Sequence, residues 1–160
     1  MAVSAASTAV YFASTILGAF LGAVLVWLAY KKHYDAADDP GAILGTFSTG
    51  PEIRSAPWNV ITEVIATFVL VAVILVFGET PSELGPLAVA MLVVGIGASI
   101  GGPTGYAINP ARDLGPRLAH AVLPIRGKRD SNWSYAWVPV VGPAIGGILG
   151  GLLAAAANYV

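Results

Sequence analysis

The first thirty residues carry no charged side chain, and apolar runs of the same character return at 58–78, 87–100 and 137–157. Such runs leave a chain few options. In hydrocarbon every backbone N–H and C=O needs a protein partner, which a helix supplies within itself. A spanning helix takes about 20 largely apolar residues. The sequence therefore predicts an all-α membrane protein with four spans, near 9–30, 58–78, 87–100 and 137–157, the third short for a full crossing. Composition agrees: 56% of the residues are hydrophobic and 11% charged, against about a quarter charged in soluble domains. No basic region precedes the first run, which is too long for a signal-peptide core and reads as a retained span. A net charge of −1 points to no nucleic acid or acidic polymer as partner. The absence of cysteine excludes disulfides and thiol chemistry.

Between the third and fourth runs lies a polar stretch, Thr104-Gly105-Tyr106-Ala107-Ile108-Asn109-Pro110-Ala111-Arg112-Asp113. Gly101, Gly102, Pro103 and Gly105 suit irregular backbone. Asn109 is a good N-cap and Pro110 fits the first helical position, where a missing N–H costs nothing. A short helix is expected from there, ending or bending near Gly115 and Pro116. Irregular backbone at membrane depth is tolerated only where protein buries it or water lines it. That reads as pore lining, with an ordinary interhelical loop and a capped helix as the equal alternative on chemistry alone.

Other polar residues sort against this background. Glu63 lies inside the second span, where a carboxylate needs a partner; otherwise it lies close enough to the interface to reach water. His33, Asp35, Asp38 and Asp39 share a long polar loop, 31–57, but match no metal template. Gly95-x-Gly97 lacks the spacing and preceding strand of a nucleotide fingerprint. His120 is a lone, structural histidine, and 120–135 reads as a solvated loop. Gly18 and Gly22, and Gly142, Gly146 and Gly150, are small-residue stripes that let helices approach closely. Asp113 and Arg117 stand four apart in the order that favours a helix ion pair, leaving Arg112 for another task. The spans hold no paired nucleophile and base and no metal ligands, so no enzyme, catalytic residue, cofactor or metal is expected.

The stretch around Asn109 resembles the second Asn-Pro-Ala box of the aquaporin superfamily, in its glycerol-facilitator branch. The likeness runs from Gly97 to Arg117 and returns in Gly45-Thr46-Phe47-Ser48-Thr49 and in Val138-Pro139. It implies an aquaporin-like bundle of four transmembrane helices and one re-entrant half-helix. That bundle is a single membrane domain over 1–160, with the third family span at 1–30, an extracellular loop at 31–57 and a complete second repeat at 58–160. By the resemblance, Glu63 braces the backbone of 101–107, and the loop around Phe47 dips over the pore mouth. Carbonyls of Thr104, Gly105, Tyr106 and Ala107 form a ladder of acceptors, and Asn109 offers an amide donor. Arg112 donates to the solute at the narrowest point and repels cations. The helix N-terminus carries about half a positive charge, which also opposes cations and protons. Gly97 stands where water-selective members carry histidine and leaves room for a carbon skeleton. Tyr106 stands where facilitators commonly carry phenylalanine, and Thr15 where many carry glutamine. Asp113, Arg117, Pro139 and Val140 fit the facilitator pattern.

The implied function is a passive channel for glycerol and similar small neutral polyols, with water, in a multi-pass protein of the cell membrane. The family has six spans and two boxes, so the resemblance also implies two spans and a first box that this sequence does not show. A homotetramer is expected once these complete the fold, and no selective pore is expected from 1–160 alone. The alternative is a non-conducting fragment or subunit that assembles with a full-length or complementary channel chain. Orientation stays open. All eight Lys and Arg lie between 31 and 57 or between 112 and 129, which a positive-inside count places in the cytoplasm and the resemblance places outside.

Overall fold

The computed structural model describes residues 4–77 and 84–159. It is helical, and its contacts divide the chain into two compact units, residues 1–49 with 110–136 and residues 50–109 with 137–160. Most of the turn expected at 79–86 lies outside the described residues.

In the first unit, α1 (Ala5–Ala29) begins where Ser4 and Ser7 cap each other reciprocally, which starts the helix four residues earlier than its apolar pattern suggests. At about 1.5 Å per residue, its 25 residues are long enough to cross a bilayer. The long polar loop expected after it is instead folded into two short helices, α2 (Lys31–Ala36) and α3 (Pro40–Gly45). Asp39 caps α3 by accepting from the Gly41 N–H, 2.8 Å, with Pro40 at the first position. The unit's core gathers Tyr34, Ile43, Phe47, Ala119 and Ile125 beneath Phe20 and Trp27.

The helix after the Asn-Pro-Ala box, α6 (Pro110–Val122), does not stop at Gly115 and Pro116 but continues to Val122. Proline removes only its own donor, to the carbonyl four residues back. Two contacts hold the helix across this point. The ion pair of Asp113 and Arg117 straddles Pro116. Gly115 lets α1 come so close that a Cβ there would lie 2.7 Å from the Ile16 carbonyl. The expected small-residue contact of α1 is therefore made by a glycine on α6. Gly18 and Gly22 themselves have nothing within 4 Å of a would-be Cβ.

In the second unit, α4 (Ala56–Phe77) packs along α7 (Val138–Ala156). Here the glycine stripe acts as the sequence suggests. A Cβ on Gly142 would stand 2.5 Å from the Glu63 Cβ, one on Gly146 2.4 Å from the Val64 carbonyl, and one on Gly150 3.0 Å from the Ala72 nitrogen. The short third run forms α5 (Pro86–Ile100), whose 15 residues reach only about 22 Å at 1.5 Å each. It joins α4 through Ala66, Ile96 and Ile108. Among the described residues, α1, α4 and α7 are long and apolar enough to cross a membrane, and α5 is shorter.

Candidate pore-lining site

After α5 the backbone leaves helical geometry. Gly105 donates back to the Gly101 carbonyl, 2.8 Å. Then three of four residues take left-handed dihedrals: Gly105 (φ 77°), Tyr106 (φ 41°) and Ile108 (φ 44°). Glycine does this freely, whereas each L side chain costs about 1–2 kcal/mol. What compensates is Glu63, 1% exposed on α4. Its Oε1 accepts from the Thr104 hydroxyl at 2.6 Å and the Ala107 N–H at 3.0 Å, and its Oε2 accepts from the Ile108 N–H at 2.7 Å. All four residues belong to the second unit. Hydrogen bonds to an ionised acceptor are the stronger kind, and three of them fix the strip from Thr104 to Ile108.

Within that strip, Thr104, Ala107 and Ile108 are buried, whereas Tyr106 and Asn109 are exposed. Asn109 immediately precedes α6, which starts on Pro110 as its position requires. The Tyr106 ring lies over α5: a Cβ on Gly97 would stand 3.0 Å from its Cζ, and one on Gly101 2.7 Å from its Cδ1. The space that glycine leaves at 97, expected to be open for a solute, is thus taken up by the side chain of Tyr106.

In the first unit, α6 begins with Arg112 exposed and Asp113 fully buried. Asp113 Oδ2 accepts from the Thr49 N–H (2.8 Å) and hydroxyl (2.7 Å). Arg117, also fully buried, donates from Nε to Asp113 Oδ1 at 2.7 Å and from one terminal nitrogen to Asp113 Oδ2 at 2.9 Å. Its remaining donors reach the carbonyls of Thr49 (2.8 Å), Ser131 (2.7 Å) and Asn132 (3.1 Å). This clasp ties the 45–49 loop and the 131–132 loop to α6. Arg112 is not left over, as the pairing of Asp113 with Arg117 suggests from sequence: its guanidinium donates to the Phe47 carbonyl at 3.3 Å. The Phe47 ring is buried, 5.6 Å from Tyr34 and 5.4 Å from His120 by ring centroids. It is through its backbone carbonyl that Phe47 accepts from Arg112.

The segment after α6 is less solvated than its charges suggest. His120 is buried in the helix, with Nδ1 2.8 Å from the Ser131 hydroxyl. The Lys128 ammonium donates to two of the last carbonyls of the helix, His120 at 2.6 Å and Ala121 at 2.8 Å, and to Leu123 just past its end at 2.6 Å, as a cation at a helix C-terminus should. Thr49, Ser131 and Lys128 carry no sequence signal for these roles, because each acts on residues distant in the chain or through an ordinary loop lysine. Among the described residues no cluster of His, Cys, Asp and Glu is arranged to hold a metal.

Among helices long and apolar enough to cross a membrane, a buried acid thus holds an irregular strip that runs, along the chain, into the start of α6. The chain belongs to the major intrinsic protein family, whose pattern matches residues 1–154, and within it to the glycerol uptake facilitator branch. It is 59% identical over 145 residues to a probable glycerol uptake facilitator protein of Thermotoga maritima, covering 89% of this chain and 62% of that one. The glycerol uptake facilitator protein of Bacillus subtilis is also 59% identical over 145 residues, with 89% of this chain and 53% of that one covered. The X-ray structure of the aquaglyceroporin from Plasmodium falciparum superposes with a TM-score of 0.78 at 26% identity, covering 94% of this chain and 64% of that one. The chain thus spans between half and two thirds of the length of these proteins. The family is one of membrane channels, not enzymes.

Proposed function

We propose that this chain supplies the solute-bearing wall of a passive channel for glycerol and similar small neutral polyols, with water. The observation that carries the reading is the strip held by Glu63. Its Ala107 and Ile108 N–H groups are tied to a buried carboxylate, so the backbone is set in place before a solute arrives. In this reading the carbonyls of Thr104 to Ala107 replace water bonds of the solute hydroxyls one after another. Asn109 adds an amide donor. Arg112, steadied by the Phe47 carbonyl, donates to hydroxyls and repels cations. Tyr106 sets the width, its ring seated in the notch left by Gly97 and Gly101. The relatives' described activity in glycerol uptake supports the choice of solute.

The test is a chimaera in which residues 1–160 replace the matching stretch of the Thermotoga maritima relative, reconstituted in vesicles. Vesicle swelling in glycerol should exceed that of empty vesicles and scale with protein. Water permeation without glycerol permeation, or neither at normal insertion levels, refutes the proposal.

A further inference from the structure

The clasp on α6 encloses a titratable group that the channel reading does not use. His120 is fully buried, near the end of a 13-residue helix too short to be one of the spans. Two chains of contact run from its ring to the 45–49 loop. One is direct: the Phe47 ring meets the imidazole edge to face, with centroids 5.4 Å apart. The other passes through Ser131. The Ser131 hydroxyl lies 2.8 Å from His120 Nδ1, the Ser131 carbonyl accepts from Arg117 at 2.7 Å, and Arg117 donates onward to the Thr49 carbonyl at 2.8 Å. Both chains end on the segment whose Phe47 carbonyl accepts from Arg112 at 3.3 Å. All of these residues belong to the first unit.

This arrangement suits a neutral imidazole and not a charged one. An imidazolium carries an N–H on both ring nitrogens. Nδ1 has the Ser131 hydroxyl, but Nε2 has no hydrogen-bonding partner among the described residues. A second proton would therefore bury a charged donor that faces no acceptor, which is costly. The surrounding charges do not offset that cost. On α6, Asp113 is paired with Arg117. In the segment after α6, the Lys128 ammonium sits on the His120 carbonyl, 2.6 Å away, while the Asp130 carboxylate accepts from the Asn132 N–H at 2.7 Å. The 45–49 loop and α1 carry no charged side chain, and α2 brings Tyr34 to the same core. Burial first, then the charges of Lys128 and Arg117, hold the imidazole below the ordinary histidine range, against the opposing pull of Asp130.

We propose, resting on the channel reading above, that His120 is an acid-sensitive positioning residue for Arg112: as a neutral ring it latches the 45–49 loop that offers Arg112 a carbonyl, and on protonation it lets that loop go. The latched ring resists a proton and the released ring does not, so the latch loses stability as pH falls below about 6.5, the value of a free histidine. Between about pH 7.5 and about pH 5.5 the release equilibrium then shifts by about tenfold.

Hydrogen exchange on the purified chain in detergent reads the latch without any need for conduction. The Thr49 N–H, bonded to Asp113, should lose about tenfold in protection between these two pH values, once the intrinsic pH dependence of exchange is divided out. Ala107 and Ile108, held by Glu63 in the second unit, should not change. His120→Phe keeps a ring beside Phe47 and takes no proton, so its Thr49 protection should be equal at both pH values. His120→Asn, which also takes no proton and keeps a hydrogen-bonding group for Ser131, serves if circular dichroism shows that His120→Phe does not fold. Unchanged Thr49 protection in the unmodified chain overturns the proposal. So does an acid response that survives the substitution or that includes Ala107 and Ile108 equally. The link to Arg112 is read in the chimaera, in vesicles with the same pH on both sides. Glycerol permeation should fall at the lower pH, and His120→Phe should abolish the fall. A responsive Thr49 with pH-independent glycerol permeation refutes the link to Arg112 and leaves the channel reading standing. A chimaera that passes no glycerol at either pH refutes the channel reading, and Thr49 exchange still decides the latch.

Discussion

Replacing Glu63 with alanine tests the physical basis of the candidate site. The substitution removes acceptors from one hydroxyl and two backbone N–H groups. Each buried donor left without a partner costs about 1–3 kcal/mol, so the full loss is roughly 3–9 kcal/mol. Part is recovered because the strip is then free to abandon its left-handed residues. Tyr106 and Ile108 release about 1–2 kcal/mol each. The net destabilisation should fall at about 3–5 kcal/mol, the usual cost of removing one partner from a buried charged network. Glu63→Gln separates charge from shape. One amide oxygen replaces two acceptors, so whichever way the group turns, one backbone N–H faces an NH₂, and the cost should be about 1–3 kcal/mol. Hydrogen exchange on the solubilised protein reads this directly. The amides of Ala107 and Ile108 should exchange at least tenfold faster in Glu63→Ala, the equivalent of about 1.4 kcal/mol per site. Glu63→Gln should affect one of the two more than the other. If both amides stay as protected in Glu63→Ala as in the unmodified chain, the strip is held by something else and the reasoning fails.

Three further outcomes follow from the same geometry. Asp113→Ala leaves the fully buried Arg117 without its carboxylate and should cost about 3–5 kcal/mol in a denaturant titration; Asp113→Ala with Arg117→Met should recover part of that, and a double variant worse than the sum of its singles counts against the clasp. Gly146→Ala forces a Cβ to within 2.4 Å of the Val64 carbonyl and should destabilise by about 1–3 kcal/mol, whereas Gly147→Ala, whose nearest contact is 3.9 Å, should stay within about 0.5 kcal/mol; equal effects would mean that α4 and α7 do not meet along this stripe. Gly97→His drives a side chain into the Tyr106 ring and, in the chimaera, should cut glycerol permeation far more than water permeation; equal loss of both at normal protein levels would remove width at Tyr106 as the selective feature.

The parts of this structure legible in the sequence are those written in local pattern. Long apolar runs gave the helices of both units to within a few residues, and the glycine spacing in α7 gave its contact with α4. The paired spacing of Asp113 and Arg117 gave their ion pair. What was not legible depends on partners far along the chain. Pro116 reads as a helix end because proline lacks a donor, but the clasp from Asp113 to Arg117 and the contact at Gly115 carry α6 past it. Lys31 and Asp35 look like loop charges, yet they stand on one short helix that covers a core. Gly18 and Gly22 form the commonest small-residue pattern of a span and make no close contact, while Gly115, with alanines rather than glycines four residues to either side, does. Phe47 falls in a stretch that resembles a pore-mouth loop, and its ring packs in the core beside Tyr34 through partners that stand far off in sequence.

The two buried acids, one in each unit, show how irregular backbone is satisfied in an apolar chain. Glu63 and Asp113 each accept from backbone N–H groups of an irregular segment, and neither is exposed by more than 1%. A carboxylate that met the solute directly would attract cations and would have to be desolvated against them. Turned instead to the backbone, it accepts from N–H groups that lie outside regular helix hydrogen bonding. In the proposed channel, the acceptors offered to a neutral solute are then carbonyls, which carry no net charge. Asp113 differs in having Arg117 as counter-ion, whereas among the described residues Glu63 accepts from neutral donors of its strip. The asymmetry has a consequence for the substitutions above. Loss of Asp113 strands a cation that a second, apolar substitution can remove, so the damage is partly reversible by Arg117→Met. Loss of Glu63 strands backbone groups that no side-chain substitution can delete, so no second-site change at Thr104 should restore protection at Ala107 and Ile108.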